Sequence, residues 1–192
     1  MIVKTEAKQT TINEKVSLIG VGLHTGQEVT INFLPAEPND GYKFRRLDLE
    51  GLPMINADAN LVTNTQRGTC LEKNGVTIQT CEHVLAALVG LEIDNVIVEL
   101  NTSEPPIMDG SSKYFVEALE SAGIKQLDAY REVFIVKDVI SYVDDESGSE
   151  ITIIPSNEYQ ITTMVDFGTK ILGTQNATLQ HLSNFKKDIS NS

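Results

Sequence analysis

The alternation of apolar and polar positions in the first half of the chain predicts β-strands. Lys15–Val21 is rich in β-branched residues, and Glu28–Phe33 alternates with a period of two. A third strand is expected over Tyr42–Leu49, after a turn rich in Pro, Asn, Asp and Gly. Two further apolar runs flank Lys73-Asn74-Gly75, and Asn-Gly between such runs predicts a tight β-hairpin.

A helix is predicted directly after this hairpin. Between Cys81 and Val89 the apolar residues recur at the spacing of one helical face. Thr80 has the side chain of an N-cap residue, and Gly90 is expected to end the helix at the C′ position.

A strand and a second helix are expected to follow. Asn95–Leu100 is a continuous apolar run, which is typical of a strand covered on both faces. The helix is expected to begin at Ser111 or Ser112 and to run to Ala122-Gly123. The first half is thus expected to combine several strands with two helices.

The second half of the chain returns to a strand pattern, with strands expected at Val133–Val136, Ile140–Val143, Glu150–Pro155 and Tyr159–Phe167. We place a domain boundary near residues 127–131, where a helix has ended and new strands begin. This divides the chain into domains 1–129 and 130–192. Glu28-Val-Thr-Ile31 recurs as Glu150-Ile-Thr-Ile153, which is weak evidence for a related second unit, because β-branched strands often look alike.

The C-terminal segment carries an amphipathic stripe of Leu179, Leu182, Phe185 and Ile189. Its spacing predicts a helix that begins near Thr178. Four strands and one helix make an unfinished second unit, so we expect the chain to be an N-terminal part of a longer protein.

Composition and charge narrow the class of protein. Apolar residues make up 41% of the 192 residues, which excludes a disordered tail. The formal net charge of −12 disfavours nucleic-acid binding and a polybasic membrane anchor. No signal-peptide core or membrane-length apolar run is present, so we expect a cytoplasmic protein without stable membrane insertion. Cys70 and Cys81 are too few for a disulfide framework and are expected to be free.

The strongest candidate for chemistry is the Glu82-His83 pair at the start of the first predicted helix. His83 is a candidate ligand of Zn²⁺, and Glu82 is a candidate base for a water on that metal. The simpler alternative is that Glu82 only complements the helix dipole. The common zinc-protease patterns are absent, and a catalytic zinc normally takes three protein ligands, so His83 needs two partners that nothing nearby supplies.

Two other segments carry weaker signals. Gly20–Gly26, which contains His24, is either a glycine-rich turn between strands or a turn that points His24 into a cleft. Because no helix pattern follows it, a nucleotide-binding glycine loop is disfavoured. Asp109 and Ser111 precede the second predicted helix, and helix capping is sufficient to explain them.

Four motifs in one order resemble the zinc-dependent UDP-3-O-acyl-N-acetylglucosamine deacetylases of Gram-negative lipid A biosynthesis. They are Gly-Val-Gly-Leu-His-Thr-Gly at 20–26, Thr-Cys-Glu-His-Val-Leu-Ala-Ala-Leu at 80–88, Gly-Leu-Glu-Ile-Asp-Asn at 90–95 and Pro-Ile-Met-Asp-Gly-Ser at 106–111. The resemblance implies an α+β fold of two related sheet-plus-helix layered domains, the second incomplete here, with the active site between them.

The resemblance also implies roles for individual residues. Glu82 matches the general base and His83 the first Zn²⁺ ligand, so that the acetamide of a UDP-sugar lipid is cut to acetate and a free amine. His24 and Asp109 match motif positions that shape the site. Arg67 and Gly68 fall in a loop that lines the site, where relatives often carry apolar residues, and Arg67 is a candidate contact for a substrate phosphate.

The remaining family ligands, a histidine and an aspartate four residues apart, lie beyond the end of this chain. His181 does not match the missing histidine, because position 185 is Phe185. We therefore expect this chain alone, without its missing C-terminal half, to bind zinc weakly and to lack deacetylase activity. A non-catalytic remnant that binds a sugar nucleotide or a partner is the alternative, and a different metal hydrolase that uses the same pair is a third interpretation.

Overall fold

A computed structural model describes residues 1–191, so Ser192 lies outside the described residues. Fourteen strands and three α-helices follow one another along this part of the chain. The strands are β1 Ile2–Ile12, β2 Val16–Val21, β3 Glu28–Pro35, β4 Tyr42–Arg46, β5 Met54–Asn56, β6 Val62–Asn64, β7 Cys70–Lys73, β8 Val76–Ile78, β9 Val96–Leu100, β10 Ile124–Phe134, β11 Ile140–Val143, β12 Glu150–Ile153, β13 Ile161–Asp166 and β14 Thr174–Leu179. The helices are α1 Glu82–Gly90, α2 Lys113–Ser121 and α3 Phe185–Asp188.

The core of the molecule lies between a five-stranded sheet and helices α1 and α2. The strand order is β2-β3-β9-β4-β5, with β9 antiparallel to β3 and parallel to β4. Phe33 on β3 and Phe115 on α2 are fully buried and meet edge to face, with ring centroids 6.3 Å apart. This packing of helices on a mixed sheet confirms the predicted α+β class.

The predicted hairpin is present as β7 and β8, which pair antiparallel around Asn74-Gly75. Both turn residues have positive φ, 54° at Asn74 and 77° at Gly75. A two-residue turn of this kind matches the twist of the flanking strands, which explains the Asn-Gly choice.

Both predicted helices of the first half exist, but two residues at the ends of α1 behave differently from the prediction. Thr80 is not the N-cap: Cys81 holds that position, without a side-chain capping bond. Gly90 does not end the helix as a C′ residue, since it is the last helical residue and the chain turns with a positive φ at Glu92 instead. Close packing explains Gly90, because a Cβ there would lie 2.1 Å from the ring of Phe185.

The predicted boundary at 127–131 falls inside strand β10, and α2 has already ended at Ser121. β10 pairs antiparallel with β1, which brings the N-terminus beside residues 124–134. Polar and apolar residues do not alternate regularly along β1, so its sequence does not indicate a strand. Only its pairing with β10 identifies it as one. The division into domains 1–129 and 130–192 stays a prediction.

Residues 135–179 form two separate antiparallel hairpins, β11-β12 and β13-β14. The expected strands near 140, 150 and 161 are present, whereas the one expected at Val133–Val136 is the end of β10. Nearly all the apolar side chains of the hairpins are exposed, including Tyr142 at 66% and Met164 at 72%. The hairpins therefore contribute little to the buried core of the described residues.

The prediction of a C-terminal helix from Thr178 is wrong. Thr178 lies in β14, and a 3-10 turn over Leu182–Asn184 precedes the short helix α3. The apolar stripe is nevertheless used, because Leu179 and Phe185 are buried in the same core cluster as α1 and α2. Contact with that core, rather than helical periodicity, explains these apolar positions.

Candidate active site

Glu82 and His83 lie in the first turn of α1, as predicted. The backbone N–H of Thr69 donates to Glu82 Oε2 at 2.9 Å, which orients the carboxylate. Glu82 Oε1 is 4.0 Å from His83 Nε2, and both side chains are about one-third exposed. The Ser112 hydroxyl donates to the carbonyl of His83 and ties this turn to the start of α2. Hydrogen bonds from Thr69 and Ser112 thus hold this turn in place, while both side chains stay partly exposed.

The segment that precedes α1 has an unusual backbone. Thr80 is buried, yet its φ is +50°, in the left-handed region that a β-branched residue rarely occupies. Gly68 lies against it: a Cβ at Gly68 would be 3.3 Å from Thr80 Oγ1 and 3.4 Å from Glu82 Oε1. A Cβ at position 68 would therefore press on the Thr80 hydroxyl and lie in van der Waals contact with the Glu82 carboxylate.

A cavity of about 230 Å³ opens beside this segment, and its walls include His24, Arg67, Gly68 and Thr80. His24 Nε2 is 3.3 Å from the carbonyl oxygen of Arg67, so the glycine-rich turn and the 64–69 loop meet at this wall. Asn64, Gln66, Cys70 and Gln79 complete the lining. The structure thus brings together three of the predicted site residues, and Gly68 connects them to Glu82.

Asp109 lies before α2 but does not cap it, because Ser112 is the N-cap residue of that helix and has no side-chain capping bond. Asp109 Oδ1 accepts from the backbone N–H of Ser111 at 3.0 Å and from the Ser111 hydroxyl at 2.7 Å. These hydrogen bonds hold the pKa of Asp109 below its usual value. Asp109 is not among the residues that line the cavity, and its site-shaping role stays a prediction.

The structure adds a residue that the sequence analysis did not single out, Glu104. Its side chain is fully buried and accepts from the backbone N–H groups of His24 and Thr25 and from the Thr80 hydroxyl, at 3.0 to 3.1 Å. Burial opposes its ionisation, but these hydrogen bonds outweigh burial and lower the pKa of Glu104. In the sequence, Glu104 stands in a polar stretch before two prolines, where an acidic residue is ordinarily exposed.

The described residues fit only part of a metal site. Across residues 1–191, no three His, Cys, Asp or Glu side chains lie close enough together to hold a metal ion. His83 offers one imidazole of the type that Zn²⁺ prefers, beside the Glu82 carboxylate. His181 is outside this site and pairs with Glu158 at 2.8 Å on an exposed surface.

Both cysteines are free, as predicted. Cys81 is buried beneath the first turn of α1, and burial, together with the nearby Glu82 charge, raises the pKa of its thiol to about 12.

Within the described residues, none of the helices has the length and apolar character that a membrane crossing requires.

Comparison with known proteins gives one consistent family. Among the similar proteins, the bifunctional enzymes LpxC/FabZ of Bacteroides thetaiotaomicron and Porphyromonas gingivalis are 43% and 39% identical over 95% of this chain. A UDP-3-O-acyl-N-acetylglucosamine deacetylase of Coxiella burnetii is 38% identical over the same share. The chain spans 40% of the length of the two bifunctional enzymes and 61% of the Coxiella protein.

The family described as UDP-3-O-acyl N-acetylglycosamine deacetylase matches residues 9–192. That match includes the turn with His24, the loop with Arg67, the start of α1 and the segment with Asp109. On this match, which takes in almost the whole sequence, the chain belongs to the UDP-3-O-acyl N-acetylglycosamine deacetylase family.

Proposed function

We propose that the full-length protein removes the N-acetyl group of a UDP-3-O-acyl-N-acetylglucosamine in lipid A biosynthesis, releasing acetate and a free amine. The observation that carries the proposal is the Glu82-His83 pair at the start of α1, whose carboxylate lies against Gly68 in the wall of a cavity that His24 and Arg67 also line. The names of the relatives support the choice of substrate, and the position of the pair supports its assignment as the residues that act on it.

Glu82 is the general base in this proposal. The Thr69 N–H binds Oε2, so Oε1 is the oxygen that faces His83 and can accept a proton from a water molecule. A carboxylate held in this way suits general-base catalysis, because its orientation is set before the substrate arrives. The same group can then return the proton to the leaving amine.

His83 is the proposed zinc ligand of this chain. Its imidazole is partly exposed, and the neutral ring can offer a nitrogen lone pair to a cation. A bound Zn²⁺ polarises a carbonyl and makes a water molecule more acidic. Three protein ligands are usual, and across residues 1–191 no such group of three is present, so we propose that the other two belong to the rest of the full-length protein.

The proposal is tested by measuring zinc content and deacetylation by the full-length protein and two variants. Glu82→Gln should lower kcat about 10²- to 10⁴-fold, the range for loss of a general base, while zinc is retained. His83→Ala should lose both zinc and activity. His181→Ala, at an exposed histidine away from the site, is the matched control and should behave as wild type.

A wild-type protein that carries no metal and turns over no substrate would refute this function. The alternative of a non-catalytic module that binds a sugar nucleotide would then be favoured. Titration of that protein with UDP-N-acetylglucosamine, followed by calorimetry, would test the alternative directly.

A further inference from the structure

Glu104 connects three separate segments of the molecule through one buried carboxylate. It lies in the turn after β9, where its own backbone is fixed by two hydrogen bonds with the Thr102 hydroxyl. Its side chain reaches the turn between β2 and β3 and the segment between β8 and α1. It thereby holds the backbone of His24 and Thr25 on one side and the side chain of Thr80 on the other.

The donors around this carboxylate are all neutral. Glu104 takes part in none of the ion pairs of residues 1–191. Burying a carboxylate without a neighbouring cation costs free energy unless its oxygens accept good hydrogen bonds. Because moving any of the three donors away would leave that charge less well hydrogen-bonded, the donors are held in a narrow range of positions. Gly22 makes room for it, because a Cβ there would lie 2.6 Å from Glu104 Oε2.

The hydrogen bond to Thr80 bears on the functional pair. Thr80 holds a left-handed backbone conformation, which is unfavourable for a non-glycine residue. Such a conformation persists only when its surroundings hold it. Two residues later the chain reaches Glu82, so the conformation of Thr80 sets the direction in which the chain enters α1.

We propose that Glu104 is a positioning residue that aligns His24 and the Glu82-His83 pair for deacetylation, without contacting the substrate itself. This inference rests on the proposed function. Its physical basis is that one fully buried carboxylate binds both the His24 turn and the residue that begins the approach to α1. Loss of that carboxylate lets the two walls of the cavity move independently.

The test compares Glu104→Gln with wild type in the full-length protein. Glutamine keeps the size of the side chain but places an N–H₂ group where three donors converge, so at least one hydrogen bond is lost. We expect kcat to fall about 10- to 100-fold and KM to change less than about twofold, because displacing residues that position a site costs this much. Zinc affinity, measured by chelator competition, should weaken as well.

Asn95→Asp is the matched control for burial. Asn95 is also a buried polar residue, which accepts from the Gly41 N–H and donates to Gln9, but it does not line the cavity. Its isosteric replacement should lower the melting temperature while kcat and zinc affinity stay at wild-type values. A loss of kcat in Glu104→Gln that Asn95→Asp does not share therefore separates positioning from general stability.

A second pair of variants tests the proposal even if Glu104→Gln fails to fold. Thr80→Val removes only the hydroxyl that reaches Glu104, whereas Thr80→Ser keeps it. We expect the valine variant to reproduce the loss of kcat and the serine variant to stay within about twofold of wild type, since only serine keeps the hydroxyl that donates to Glu104.

Two results would overturn the inference in different ways. If wild type is active but Glu104→Gln and Thr80→Val keep its kcat and zinc affinity, Glu104 is merely structural and the proposed function stands. If wild type is inactive and metal-free, the proposed function fails first, and the positioning role fails with it.

Discussion

Single residues around the cavity are constrained mainly by backbone conformation and by close approach. Thr80 and Arg67 both have positive φ, and a Cβ at Gly68 would lie only 3.3 Å from Thr80 Oγ1. These backbone conformations lower the stability of the folded protein, and strain of this kind concentrates at functional sites. The residues with the clearest chemistry, Glu82 and His83, are themselves in ordinary helical geometry.

Arg67 is expected to bind a phosphate of the nucleotide-sugar substrate, because its exposed cation lies at the cavity wall of an otherwise acidic protein. Arg67→Ala should raise KM about tenfold or more and leave kcat unchanged, since a charge-assisted hydrogen bond contributes about 1.5–3 kcal/mol. Steady-state kinetics of the full-length protein measure both constants. Lys187→Ala, at a highly exposed lysine away from the cavity, is the control. An unchanged KM in Arg67→Ala would remove this role.

Cys81 is expected to be unreactive in the folded protein, because the thiolate is the nucleophile and its pKa is raised to about 12. Iodoacetamide at pH 8 should label Cys81 only after denaturation, as read by mass spectrometry. The unfolded chain, with a thiol pKa near 9, releases a proton that the folded state retains. The contribution of Cys81 to stability is therefore complete below pH 9 and is lost as the pH rises towards 12. Rapid labelling of the native thiol would contradict this environment.

At the scale of elements, α1 is held between α2 and the C-terminal segment. Phe185 of α3 packs directly on the backbone at Gly90, and Lys186 forms an ion pair with Glu120 of α2 at 2.7 Å. The end of the described chain therefore closes over the helix that carries Glu82 and His83. This contact is carried mainly by Phe185 packing, because exposed ion pairs contribute little.

Gly90→Ala should destabilise the protein, although alanine is the better helix former. A Cβ only 2.1 Å from the Phe185 ring forces a shift, and overpacking of this kind costs about 1–3 kcal/mol. Phe185→Leu in the same chain should relieve part of that cost, so the two changes should be non-additive in a double-mutant cycle. Urea unfolding measures all four proteins. Additive effects would show that the two residues do not meet as described.

At the scale of the whole molecule, the buried side chains are distributed unevenly along the chain. The five-stranded sheet and its helices contain almost all the buried side chains, whereas hairpins β11-β12 and β13-β14 expose theirs. Regions with few buried apolar contacts open more readily. The local stability of this chain should therefore fall sharply after β10.

Hydrogen exchange followed by mass spectrometry tests this difference on the 192-residue chain. Peptides from β3, β9 and α1 should be protected for much longer than peptides from residues 140–172, because only the former lie in the core. Peptides from Leu179 and Phe185 should exchange slowly again. Uniform protection along the chain would contradict the described division of the core.

The 192-residue chain by itself should bind zinc weakly and show no deacetylation, whereas the proposed function requires the full-length protein to bind zinc tightly and to deacetylate its substrate. The described residues supply one imidazole beside a carboxylate, and a catalytic zinc usually has three protein ligands. Zinc titration against a chromogenic chelator and a substrate assay compare the two proteins. Turnover of substrate by the purified 192-residue chain would refute the incomplete site.

Local patterns predicted much of the fold and part of the candidate site. The hairpin at Asn74-Gly75, the apolar strand β9 and the presence of α1 and α2 follow from periodicity and turn chemistry, which act between near neighbours. The Glu82-His83 pair was recognisable because it stands at the start of a helix. The cytoplasmic location and the two-domain division stay predictions.

The sequence by itself determined the elements with strong local signals, the acidic surface and the pair of residues with metal-site chemistry. Only the tertiary structure decided that β1 pairs with β10, more than 100 residues away, and that Thr178 lies in a strand. It also decided that Gly90 is needed for close packing against Phe185 and not for ending the helix. It also decided that Glu104 is buried among three donors. The physical reason is that these roles depend on contacts between distant segments, whose hydrogen bonds and packing outweigh local preference.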